Sequence, residues 1–185
     1  MCIRDRDSTL PTFTTPSDIT IDCAADETNL TLTGDVLDEA DNCDTSIGEA
    51  RFTDSESTDD PCTGSSVISR TWTLTDACGN SAVATQTITK EDSTLPTFTT
   101  PSDITIDCAA DETNLTLTGD VLDEADNCDT SIGEASFTDS ESTDDPCMGS
   151  SEITRTWTLT DACGNSAVGT PVSYTHLTLP TIYSV

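Results

Sequence analysis

Four cysteines, Cys23, Cys43, Cys62 and Cys78, return 85 positions later as Cys108, Cys128, Cys147 and Cys163, and a ninth, Cys2, stands apart. Sulfur at such positions can bind a metal, attack an electrophile or close a disulfide. Zinc sites bring thiolates together in short pairs such as C-x-x-C, often with histidine, and neither accompanies these cysteines. A catalytic thiolate needs a neighbouring base, and the one histidine, His176, lies near the C-terminal end, outside the repeating part. Widely spaced cysteines in even sets of four form the pattern of an oxidised framework made outside the cytoplasm.

Carboxylates are the second chemical resource. The 185 residues hold 35 Asp and Glu against 6 Lys and Arg, a formal charge of −29. That charge excludes a nucleic-acid binder, which needs a basic stripe along the phosphates. Paired carboxylates serve glycosidases, but in so acidic a chain no pair singles itself out, and without a histidine there is no Ser-His-Asp site. Hard oxygen donors in this number suit calcium, which takes about six to eight of them. No apolar run approaches the roughly 18 residues of a membrane helix, so no membrane insertion is expected.

The two ends read as one DNA element taken on opposite strands. Met1-Cys2-Ile3-Arg4-Asp5-Arg6 back-translates to ATG TGT ATA AGA GAC AG, whose reverse complement encodes the run Pro171-Val172-Ser173-Tyr174-Thr175-His176. The element resembles the transposase end of sequencing-library adapters. Residues 1–6 and 171–185 are therefore expected to be adapter-derived, and 172–185 to have no native packing role unless Val172, Tyr174 and Leu177 happen to fill the vacant strand position of the second unit. Setting them aside leaves residues 7–170 with eight cysteines and a charge of −30.

The elements that must position the cysteines repeat as well. Residues 7–85 and 92–170 differ at five of 79 positions: Arg51/Ser136, Thr63/Met148, Val67/Glu152, Ser69/Thr154 and Ala84/Gly169. The period is domain-sized, which predicts two domains, 7–91 and 92–170, the second lacking a counterpart of Gln86–Glu91. Within a unit the apolar period is two: Ile19 and Ile21, Leu30 and Leu32, then Ile68, Trp72 and Leu74. Glu152 in place of Val67 puts that parity toward water, since an unpaired carboxylate is not tolerated in a core. Trp72 and Trp157 then read as core, and Arg70 and Arg155, on the same parity, are expected to carry their heads to an edge lined by carboxylates. Helix signals are limited to Val36–Asp41. The expectation is all-β, one small antiparallel β-sandwich per unit with strands running up and down in order.

Up-and-down strands put successive loops at alternate ends. Same-end pairing then predicts Cys23–Cys62 and Cys43–Cys78, repeated as Cys108–Cys147 and Cys128–Cys163. Each closes a loop of about 35–40 residues, worth roughly 4 kcal/mol in the chain-entropy model, which a thin-cored small domain needs.

The chain resembles the hyalin repeat family in its four-cysteine bacterial form. The resemblance rests on Asp7-Ser8-Thr9-Leu10-Pro11, Pro16-Ser17-Asp18-Ile19-Thr20-Ile21, Asp41-Asn42-Cys43 and above all Arg70-Thr71-Trp72-Thr73-Leu74-Thr75-Asp76-Ala77-Cys78-Gly79-Asn80, and it covers 7–170. It implies tandem immunoglobulin-like β-sandwiches in large secreted or cell-surface proteins, used as adhesion-associated spacers, with no catalytic residues.

The function expected is therefore a non-catalytic extracellular array. Its partners are neighbouring repeats of the same chain, with a cell-surface protein or polysaccharide as the adhesive target, and no nucleic acid. No cofactor is required, but calcium is expected where the units meet, held by Glu91, Asp92, Asp123, Asp126, Asp129, Asp161 and Asn165. The rival readings are a threonine-rich ice- or mineral-binding surface, built on stretches such as Thr71-Trp72-Thr73-Leu74-Thr75, and an ancillary module of a secreted carbohydrate-active enzyme.

Overall fold

The computed structural model describes residues 7–57, 65–107, 110–142, 152–169 and 172–177. Its contacts divide the chain into two units between Ser93 and Thr94. The first contains β1 (Thr12–Thr14), β2 (Ile19–Asp22), a one-turn helix α1 (Leu30–Thr33), β3 (Leu37–Ala40), β4 (Arg51–Ser57), β5 (Ser66–Thr75) and β6 (Ser81–Glu91). The second repeats them as β7 (Thr97–Thr99), β8 (Ile104–Asp107), α2 (Leu115–Thr118), β9 (Leu122–Ala125), β10 (Ser136–Ser142), β11 (Glu152–Thr160) and β12 (Ser166–Val168), and adds β13 (Val172–Leu177). All-β tandem units are what the periodicity predicted.

In the first unit, β1 pairs β3, and a larger sheet runs β2-β6-β5-β4. The strands do not simply go up and down: β2 lies parallel to β6, Ile19 opposite Ile88 and Asp22 opposite Glu91. The first strand of the large sheet thus pairs the last, because the two isoleucine faces share one core of Ile21, Ile68 and Ile88.

Strand β5 shows how the sequence chooses its faces. Ile68, Arg70, Trp72 and Leu74 are buried, while Val67 and Ser69 are exposed. Glu152 at the Val67 position is likewise exposed. Burying an apolar side chain of this size contributes about 1.5–3 kcal/mol, so a register slip by one residue would forfeit the whole row.

Two local expectations are overturned. Leu30–Thr33 is a helical turn and not a strand. Asn29 caps it by accepting from the Thr31 amide at 3.0 Å, and Gly34 ends it at φ 87°, a conformation that costs a Cβ-bearing residue strain. Conversely, Val36–Asp41 carries β3 and not a helix, and Asp38 within it adopts φ 57°. Alternating Leu and Thr is compatible with both periods over four residues, and capping decided between them.

Strand β13 fills the vacant strand position of the second unit, the exception to a tail without a packing role. Its residues pair antiparallel with β11, Arg155 opposite Val172 through Glu152 opposite Thr175. They also pair parallel with β8, Tyr174 opposite Ile104 through Leu177 opposite Asp107. The tail takes the place that the second half of β6 holds in the first unit, because its residues alternate and the slot between β8 and β11 offers unpaired backbone groups.

Candidate metal centre

The buried polar groups of the first unit fall into two sets. One is a scaffold. The Arg70 guanidinium is wholly buried; its Nε and Nη2 donate to the two carboxylate oxygens of Asp54 at 2.8 Å each, its Nη1 to Thr33 Oγ1 and its Nη2 to the Glu27 carbonyl. Its head lies 4.0 Å from the Phe52 ring centroid, and Phe52 packs on Trp72 at 5.2 Å. Arg70 does reach a carboxylate of the edge strand β4, as its parity predicted, but its head is buried while Asp54 remains partly exposed. Arg155 repeats this arrangement with Asp139, Thr118 and Phe137. Trp72 is fully buried and donates from Nε1 to Gln86 Oε1 at 3.3 Å, so it offers no platform for a sugar ring.

The second set stands where the opening segment meets two turns. In the turn after β3, Asp41 Oδ1 accepts from the amides of Cys43 and Asp44 at 2.8 and 2.7 Å. In the turn after β5, Asp76 Oδ1 accepts from the amides of Cys78 and Asn80 at 2.8 Å each, and its Oδ2 from Asn80 Nδ2. Asp44 ties the turns together, its Oδ2 accepting from the Ala77 amide at 3.1 Å. Asn80 also donates to the Asp7 carbonyl, and Asp7 Oδ1 accepts from Thr9 N. The result is that carboxylate oxygens of Asp7, Asp41 and Asp76 lie within 4.8 Å of one another.

Backbone amides thus orient these carboxylates through their inner oxygens. The other oxygen, Oδ2, of Asp7 and of Asp41 is sealed from solvent and meets no hydrogen-bond donor. Asp126 Oδ2, at the Asp41 position of the second unit, is left the same way. A buried acceptor without a donor costs about 1–3 kcal/mol, and two unit charges 4 Å apart repel by about 4 kcal/mol at an effective dielectric of 20. Burial works to raise the Asp76 pKa, but bonds from the Asn80 side chain and the Asn80, Cys78 and Gly79 amides outweigh it and hold the carboxyl below its ordinary value.

The residues expected to hold calcium divide accordingly. Asp126 and Asp161 occupy the equivalent turns, with Asp126 Oδ1 taken by the Cys128 and Asp129 amides and Asp161 by Asn165. Asp129 is a brace, both oxygens occupied by the Ser131 and Ala162 amides. Asn165 points its side-chain nitrogen at Asp161. Asp123 is exposed at φ 58°, and Glu91 and Asp92 end the first unit. The Asp7–Asp41–Asp76 corner went unnamed in the sequence reading, although the 85-residue period carries Asp92, Asp126 and Asp161 onto these positions.

Cys23, Cys43, Cys128 and Cys163 are disulfide-bonded. Cys78 lies exposed in the turn after β5, and the Asp44–Ala77 hydrogen bond brings that turn beside the one that holds Cys43. The other expected pairs include Cys62, Cys108 and Cys147, which lie outside the described residues, and Cys128–Cys163, whose sulfurs are both oxidised.

A family model described as a HYR-like domain with 4 cysteines matches the chain twice, over residues 11–89 and 96–176. The second match extends past residue 170 into the segment that forms β13. No curated protein matches the sequence.

Proposed function

The chain belongs to the family of HYR-like domains with four cysteines, and from that membership we propose that it is a non-catalytic extracellular structural and adhesive array, a spacer that holds a distal domain away from a cell surface. The observation that carries this reading is the tandem match itself: one domain used twice, with five differences in 79 positions. Domains of this family are generally structural modules of extracellular proteins. The buried polar residues fit the role, since Arg70, Thr33 and Gln86 are engaged with one another's neighbours and with backbone, as a scaffold requires. The short link between units, roughly 91–95, favours a stiff array over a flexible one, and the surface acids favour solubility.

Reach is the measurable property of a spacer. A peptide epitope displayed on a cell through this chain should be captured by antibody-coated beads more efficiently than the same epitope on a Gly/Ser linker of equal residue count. Equal capture would refute the spacer reading, and capture of cells by the bare chain on beads would make the units themselves adhesive. Peptide mapping without reduction should find Cys23 joined to Cys62, Cys43 to Cys78, Cys108 to Cys147 and Cys128 to Cys163 in the secreted chain; a fully reduced chain would contradict an extracellular site.

One observation favours a second reading. On the outer face, hydroxyls line up across three strands, Thr53 opposite Thr71 opposite Thr85, and Ser55 opposite Ser69 opposite Thr87. Such rows suit an ordered crystal surface. Thermal hysteresis or altered crystal habit in the presence of the chain would establish that reading, and neither effect would end it.

A further inference from the structure

We propose that Asp7, Asp41 and Asp76 form a calcium site in the first unit. The proposal is independent of the spacer reading. Three carboxylates from three separate segments converge within 4.8 Å, and acidity alone would not make this a site. What points to a cation is that Asp7 Oδ2 and Asp41 Oδ2 are closed off from water and accept nothing, while the other oxygens of the same side chains accept one amide at Asp7 and two at Asp41, which fix their direction. The unused oxygen recurs at Asp126, so it belongs to the turn and not to one copy.

The donor set selects the ion. All three side chains present carboxylate oxygen, which favours a hard cation. Three ligands set by loops make an irregular shell that calcium accepts, completing its about six to eight oxygens with carbonyls and water, whereas magnesium demands near-octahedral order. The ion would clamp the opening segment to both turns, adding a third tie to the Asn80–Asp7 and Asp44–Ala77 hydrogen bonds. Affinity should be that of an extracellular module, on the order of 10⁻⁴–10⁻³ M.

The test uses the whole oxidised chain, melted in chelator, in millimolar calcium and in millimolar magnesium, with calorimetry for stoichiometry. Calcium should bind, and melting should rise by several degrees in calcium and by less in magnesium. Asp41→Asn with Asp126→Asn keeps the amide-accepting oxygen and replaces the orphaned one by a donor. That variant should lose the calcium response while melting in chelator at or above the wild-type temperature. A wild type indifferent to calcium overturns the proposal, as does a calcium shift retained in the double variant. A double variant that melts lower in chelator would show that these oxygens have a structural partner, and would overturn it too.

Discussion

In the first unit β6 runs unbroken from Ser81 to Glu91 and pairs with β5 on one side and β2 on the other. In the second, that place is divided between β12 and β13. The break falls at Gly169, where an added Cβ would come within 2.5 Å of Thr100 Cγ2 and 2.8 Å of Phe98 Cε2; its counterpart, Ala84, sits inside a continuous strand opposite Trp72. Beyond the break the backbone ladder is rebuilt by β13. Gln86 stands opposite Arg70 and joins Trp72 Nε1 to the carbonyls of Ser17 and Thr33. Val172 stands opposite Arg155 in its place, and Trp157 Nε1 is left buried without an acceptor. A vacant strand position can be filled by any alternating segment, because the ladder reads only backbone, whereas a buried donor needs one particular side chain at one register.

The largest effect expected follows from removing the substitute. Deleting residues 172–185 strips a six-residue strand from between two neighbours. Several backbone hydrogen bonds at about 1 kcal/mol each are enough to lower a domain of this size by ~20 °C or more, at about 4–8 °C per kcal/mol. Calorimetry should show the second unit's transition displaced or lost and the first unchanged. Two unchanged transitions would mean that β13 stabilises nothing.

A smaller exchange sharpens the comparison. Val172→Gln should return an acceptor to Trp157 and raise the second transition by about 1 kcal/mol, and Gln86→Val should lower the first by about 1–3 kcal/mol. If both changes are neutral, the indole is satisfied by water, and the difference between the units is backbone alone.

The smallest effect concerns Lys90, whose ammonium pairs with Glu27 at 3.1 Å; His176 holds the matching register in β13. Glu27's own backbone amide, followed by the Lys90 contact, lowers the Glu27 pKa. A lowered carboxylate contributes stability above its unfolded pKa, near 4.3, and loses it as pH falls through the folded value. Lys90→Ala should therefore cost the first transition under about 1 kcal/mol at pH 7 and nothing in strong acid. A cost that persists in acid would show that the lysine stem packs and its charge is idle.

The repeat, the inward row of Ile68, Arg70, Trp72 and Leu74, and the outward position of Val67 were all legible in the sequence, because strand period and the cost of burying Glu152 are local facts. The divergence at Leu30–Thr33 was also local, but four residues of Leu and Thr satisfy both periods, and only the Asn29 cap and Gly34 separate them. Tertiary structure alone decided the parallel pairing of β2 with β6, the complete burial of the Arg70 head and the use of Val172–Leu177 as a strand. It also decided that Asp7, Asp41 and Asp76, far apart in the chain, bring their carboxylates within 4.8 Å. Composition shows that acids are plentiful; which of their oxygens lose both water and hydrogen-bond donors depends on how the turns pack, and no periodicity along the chain encodes that.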